Sequence, residues 1–212
     1  PLAAMRIISC LSVPAYVSRP NLYPLICLKQ TQLSIKYGNT TESIVGYSNA
    51  AVVYTGVVGD IVLGNQFGTI ALSLLATFND NEHKSVIINN VYGGARPWSM
   101  KLKNILSHLI KGYESGQETG DLTFSCSNAS WYCMLAFLSG HELSRLEEKN
   151  RFYLQVSINA KQELQVSFSG IIHQAILNLL SITKNPCKLN GKTFNEDERI
   201  QLLVDGQQQS SL

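Results

Sequence analysis

Charged side chains are scarce in this chain. Asp, Glu, Lys and Arg make up 15% of its 212 residues, against about 25% in an ordinary soluble domain. The polar surface therefore has to come from Ser, Thr, Asn and Gln, which solvate less strongly and favour association with a partner. An excess of one sign is missing as well. The formal net charge is +2, with nine basic and six acidic residues in positions 1–118 and eight and nine in positions 119–212. Neither half is a basic module, which excludes the electrostatic footprint of classical DNA or RNA binding.

Signatures of catalysis and metal binding are also absent. HExxH, GxSxG, a P-loop, a dinucleotide fingerprint and paired carboxylates do not occur. The five cysteines, Cys10, Cys27, Cys126, Cys133 and Cys187, form no CxxC pair and have no histidine at zinc-finger spacing. They read as free, mostly buried thiols of a reducing compartment, with no structural zinc and no cofactor. Of the four histidines, His83 falls in a polar turn, His108 on the polar side of a helix and His173 in the first turn of the last long helix. His141-Glu142, after Gly140, is the most site-like pair. Long hydrophobic runs are missing too. Residues 43–79 carry Asp60 as their one charge, but Gly59-Asp60 and Gly64-Asn65-Gln66 interrupt them, far short of the ~20 apolar residues a bilayer needs. No transmembrane segment is expected, and an intracellular, cytoplasmic setting is. Residues 1–4 read as an addition ahead of Met5, and the apolar stretch at 7–13 is too short a secretion signal and is broken by Pro14.

What is present is best defined at residues 86–113. Val86, Ile87 and Ile88 form a β-branched run suited to a buried strand. Gly93-Gly94 then makes a turn, and Pro97 suits a first helical position. Trp98, Leu102, Ile105, Leu106, Leu109, Ile110 and Tyr113 recur at spacings of three and four, one apolar stripe at helical period. Gly112 and Gly116 mark the expected helix stop. A glycine turn at a helix N-terminus can bind an anion through free N–H groups and the helix dipole. Gly93, Gly94 and Arg96 are therefore the candidate ligand or anion-binding residues.

The remaining pattern predicts an α+β fold, with mixed or antiparallel sheets and packed helices. Residues 25–28 and 32–37 read as strands ended by Gly38-Asn39, residues 50–56 and 57–63 as a buried hairpin, and residues 67–78 as a helix. Asn79-Asp80-Asn81 reads as a turn. In the C-terminal half, residues 121–126 read as a strand and Ser130 as the cap of a helix reaching 148. Phe152, Leu154, Val156 and Ile158 alternate with polar residues, as do Leu164, Val166 and Phe168, predicting a hairpin turning at 160–162. A helix near 171–182 and a short strand at 200–204 complete a ferredoxin-like βαββαβ order. The expected organisation is residues 1–116 as an N-terminal α+β portion, 117–204 packed on it, and 205–212 as a mobile tail.

These features point to a non-catalytic protein-interaction or assembly protein, with a protein partner or self-association and no specific nucleic acid. The alternative is a small-molecule or phosphate-binding protein or enzyme that uses Gly93, Gly94 and Arg96.

Overall fold

The computed structural model describes residues 2–180 and 185–204. Almost all of them are helical, and a single bridge between Asn190 and Asn195 is the one β pairing among them. The α+β expectation and its ferredoxin-like half are overturned. The chain is a helical bundle of α1 (Leu2–Ser18), α2 (Tyr23–Tyr37), α3 (Thr41–Val53), α4 (Ile61–Phe78), α5 (Lys84–Ile88), α6 (Leu102–Thr119), α7 (Leu122–Leu138), α8 (Leu143–Asn159), α9 (Glu163–Leu179) and α10 (Glu196–Val204). A π-helical turn, Tyr54–Val58, extends α3; a second, Asn89–Ala95, extends α5 into a 3-10 turn at Arg96–Trp98.

Each misread strand has a physical reason. In α2 the buried residues are Cys27, Gln30, Thr31 and Ser34, spaced three and four apart. The alternating apolar residues, Ile35 and Tyr37 among them, face outward, so the core face of this helix is largely polar and the usual contrast is inverted. Val86, Ile87 and Ile88 are all buried, and burial on every side removes the period that distinguishes helix from strand. Residues 50–63 are helical throughout except at the Gly59-Asp60 corner, where Gly59 adopts φ 81° and the Asp60 side chain accepts a bond from Leu63 N–H. The hairpin of residues 152–168 is two helices. Their turn does fall at 160–162, with Lys161 left-handed at φ 55°, but the buried face of α8 is Leu146, Asn150, Tyr153, Leu154 and Ser157. That is a helical stripe, and Phe152 (58% exposed) and Ile158 (47%) lie off it. Residues 121–126 open α7, where Asp121 caps and Ser130 sits mid-helix. Residues 200–204 belong to α10. Positions 205–212 lie outside the described residues.

The helices pack as a two-layered row. α1, α3, α5 with its π turn, α7 and α9 touch one another in that order, while α2, α4, α6 and α8 each bridge successive members. Short connections make sequential neighbours antiparallel. Helix α6 runs through residue 116 and packs along α7. Helix α4 is long and apolar enough to cross a membrane by length and composition, with 17% of its 18-residue window buried; Gly64, Gly68 and Ala71 are its buried contacts with the row.

The helical stripe of residues 102–113 is confirmed: Ile105, Leu106 and Leu109 are buried on α6, each contributing about 1.5–3 kcal/mol of burial. Trp98 is 68% exposed and lies outside that helix. The helix does not stop at Gly112 or Gly116 but at Gly120, at φ 83°. A Cβ on Gly112 would stand 2.7 Å from the Asn128 carboxamide, and one on Gly116 would stand 2.7 Å from Ser125 Cβ and from Ser85 Oγ. These glycines let α6 approach α5 and α7.

Replacing a mid-helix glycine by alanine ordinarily gains up to about 1 kcal/mol. Gly116→Ala should instead lose about 1–3 kcal/mol through overpacking, whereas Gly56→Ala, with open space around its Cβ, should not. Urea unfolding compares the two; equal effects would mean that α6 and α7 do not touch this closely. The same assay separates the faces of α8. Ser157 is buried and donates to Tyr153 O at 3.1 Å. Ser157→Asp should therefore cost about 3–5 kcal/mol, and Phe152→Asp less than about 1 kcal/mol.

Candidate functional site

The row of helices α1, α3, α5, α7 and α9 lines one cavity of about 840 Å³. Contributions run from Ser9 and Val13 on α1, through Val45 and Asn49 on α3, to Leu164 and Phe168 on α9. The cavity thus follows the row instead of closing between two elements. A groove of this kind arises when one layer of a helical row is left without a covering layer.

Its floor is made of neutral amides and hydroxyls. Asn90, in the π turn, donates through Nδ2 to Asn49 Oδ1 at 2.8 Å and to Ser48 Oγ at 3.0 Å. The Tyr23 hydroxyl donates to the same Asn49 oxygen at 3.4 Å. Asn89 Nδ2 donates to Ser127 Oγ on α7 at 3.0 Å. Asn49 is 5% exposed, and its Nδ2, beside the cavity, has no hydrogen-bond partner. A buried donor left unpaired costs about 1–3 kcal/mol. π-helical turns of this kind are frequent at functional positions.

The walls are apolar and aromatic. Trp131 lies over Gly93, whose Cβ would stand 2.8 Å from the indole, and packs on Phe168 at 5.8 Å between ring centroids. The hydroxyls of Ser130 and Ser169, 2.7 Å apart, join α7 to α9 behind this wall. Tyr16 and Tyr23 pack edge to face at 5.3 Å on the opposite side.

The turns before α5 and α7, in the middle of the row, bring acidic residues to the cavity. Glu82, His83 and Asp121 line it together with Thr119 and Gly120. His83 is bound to Asp80, with Nδ1 to Oδ2 at 2.7 Å and its backbone N–H donated to Oδ1 at 3.1 Å. Asp121 accepts from Phe124 N–H at 3.1 Å. Burial pushes its carboxyl pKa up, against the lowering effect of that bond and of nearby His83. No lysine or arginine is among the residues lining the cavity.

Of the residues singled out from sequence, Gly94 lines this cavity, close under Val52, and Gly93 lies beneath Trp131. Arg96 does not line it. Its Nη1 donates to Tyr92 OH at 3.1 Å and its guanidinium covers the Tyr92 ring at 4.8 Å. The three residues belong to the π and 3-10 turns, ahead of the α6 N-terminus at Leu102. His83 does sit in a polar turn and lines the cavity. His108 stacks on Tyr92 at 4.0 Å. His141 is exposed beside Ser139, and Glu142 pairs with Arg145. His173 is mid-helix in α9, buried against Glu147 at 2.9 Å. Burial raises the thiol pKa of Cys126, and that of Cys133 to about 12, so neither is an activated nucleophile. No group of three potential metal ligands occurs among the described residues.

Sequence reasoning missed Asn49, Asn89, Asn90, Ser127 and Trp131. One signal was available: Asn89-Asn90 interrupts an apolar run that is otherwise fit for a core, and two amides there demand partners.

The first wall of the cavity is tied down by charge. Arg6 of α1 donates to Glu42 of α3 at 2.7 Å. Partial burial alone would raise the Glu42 pKa, but Arg6 and local hydrogen bonds hold it at about 2. A depressed carboxylate stabilises the fold above its unfolded value, about 4.3, and loses that contribution as pH falls toward 2. Acid titration by circular dichroism should show loss of structure across that window. Arg6→Ala should move the transition to higher pH, and an unchanged midpoint would show that the pair does not hold α1.

Comparison of the chain with protein-family models, with curated proteins and with solved structures returned no match.

Proposed function

We propose that the protein is a non-catalytic interaction module that receives a segment of a partner protein in the groove of α1, α3, α5, α7 and α9. The observation that carries this reading is the shape and chemistry of the groove: a neutral floor of asparagines and serines between apolar and aromatic walls. A polypeptide backbone presents uncharged donors and acceptors at regular intervals, which is what such a floor can pair with, while apolar side chains fill the walls. Helices in contact lie about 8–10 Å apart, so five in a row offer a path that about ten extended residues would follow. Raised thiol pKa values at Cys126 and Cys133 and the lack of a three-ligand cluster among the described residues favour binding over chemistry. The five unpaired cysteines suit an intracellular, reducing setting.

The test is selection of a phage-displayed library of random peptides on the full chain. Enriched peptides should lose about tenfold or more in affinity on Leu164→Glu or Val13→Glu, which alter exposed groove-lining positions. Ile35→Glu, on the outer face of α2, should leave binding unchanged. No enrichment, or binding sensitive to Ile35 but not to the groove positions, would refute the reading.

A further inference from the structure

We infer that the protein docks on an anionic lipid surface through one end of the bundle, where the α3–α4 corner and the α5–α6 corner adjoin. This surface is separate from the groove: Val57, Val58, Ile61, Val62 and Trp98 are not among the groove-lining residues. The inference therefore goes beyond the groove reading and stands or falls without it.

The first observation is apolar display. Val57, Val58 and Val62 are 60–71% exposed, Trp98 is as open as they are, and Ile61 is exposed between the valines. A Cβ on Gly56 or Gly59 would meet nothing within 4 Å, so the α3–α4 corner projects from the bundle. The second is that the two corners form one surface. The π turn of Tyr54–Val58 touches that of Asn89–Ala95, and Ser99 Oγ donates to Asn65 Oδ1 at 3.0 Å. The turn that carries Trp98 is thereby held against the start of α4. An indole beside a projecting aliphatic corner suits the headgroup boundary, because the ring is apolar while its N–H stays in a polar layer. The third is charge. Residues 54–62 and 96–103 carry Arg96, Lys101 and Lys103 against the one carboxylate of Asp60, which caps α4 by accepting from Leu63 N–H at 2.9 Å. At the opposite ends of α4, α5 and α6, residues 78–84 and 114–122 carry five acidic side chains and Lys84 as the one lysine. The bundle is thus polarised along its length, and its apolar tip lies at the basic end. Lys101 and Lys103 are exposed and enter no ion pair among the described residues. An aliphatic tip with a cationic fringe complements a surface that is negative outside and hydrocarbon within, which is what an anionic bilayer offers.

The full chain is sedimented with vesicles of phosphatidylcholine alone, and with vesicles of about three parts phosphatidylcholine to one part phosphatidylserine. It should partition about tenfold more strongly onto the anionic vesicles, and added salt should weaken that preference. Val58→Ser/Val62→Ser should lower partitioning onto the anionic vesicles about tenfold. Lys101→Gln/Lys103→Gln should remove the preference for them. Ile35→Ser, equally exposed near the C-terminus of α2 and so at the other end of the bundle, should change neither. A second readout uses the wild-type chain: anionic vesicles should shift Trp98 emission to the blue and shield it from acrylamide. Trp98→Phe should abolish the shift, leaving Trp131 unmoved. No sedimentation with anionic vesicles, no shift in emission, or a preference that survives loss of both lysines would overturn the inference. Self-association that Val58→Ser/Val62→Ser abolishes, without vesicle binding, would overturn it in favour of a second copy of the chain.

Discussion

Asn128 lies where α5, α6 and α7 meet; its carboxamide joins α7 to α5, and Ser85 of α5 carries the link on to α6. The Asn128 Nδ2 donates to Ser85 O at 3.0 Å and to Phe124 O at 2.8 Å, while the Ser85 hydroxyl donates to Gly112 O at 3.0 Å. This junction requires α6 to pass close by, which is why Gly112 and Gly116 face Asn128, Ser125 and Ser85 without side chains of their own. If α6 were held further out, the buried Ser85 hydroxyl would lose its acceptor, Gly112 O, at about 1–3 kcal/mol. The π turn after α5 would then lose its backing. That turn carries Asn89 and Asn90, so the floor of the groove depends on a contact on the far side of the same helix.

The same economy explains the low charge of the chain. Buried polar positions such as Gln30, Ser48, Asn128, Asn150 and Gln174 are neutral, and a neutral amide is far less costly to bury than an ion. They sit on the helix faces that meet, where a conventional bundle would place leucine. The triplet Asn128-Ala129-Ser130, which resembles a glycosylation site, is one such buried face.

This arrangement also determines what could be read from sequence. Helix α6 was legible because its stripe of Leu102, Ile105, Leu106 and Leu109 follows the usual contrast of apolar inside and charged outside. The turns at residues 38 and 79–81 were legible because Gly38 and Asn79 mark them chemically, and the turn at 160–162 because the apolar rows on either side break there. The second half of α9 was legible too, as the helix expected near 171–182; helices α2 and α8 and the first half of α9 were not. Their interior faces include Gln30, Ser34, Asn150, Ser157, Ser169 and Gln174, while Ile35, Phe152, Ile158 and Leu164 look outward. When apolar residues occupy the solvent face, alternation over a few positions imitates a strand. The signal that separates the cases is length: α8 and α9 each continue for 17 residues, well beyond an ordinary strand. For the candidate site, Gly94 was found because glycine is conspicuous, whereas Asn49 and Asn90 are ordinary residues that acquire meaning from each other.

Stability is not spread evenly along the row. The middle, around α5, α6 and α7, is held by apolar burial at Ile87, Val91, Ile105 and Leu109 and by the Asn128 junction. At one end, α1 buries Met5, Ser12 and Ala15 and is tied to α3 by Arg6–Glu42, whose arginine is two-thirds exposed. An element with few buried contacts opens at lower free energy than the core it rests on. That element is a wall of the groove. A segment lying along the floor would touch α1 at Val13 and Tyr16 as well as the rigid centre, and would add contacts where the chain has fewest. Binding energy would then be divided between holding the ligand and ordering α1, so a loosely held wall trades affinity for access to the groove.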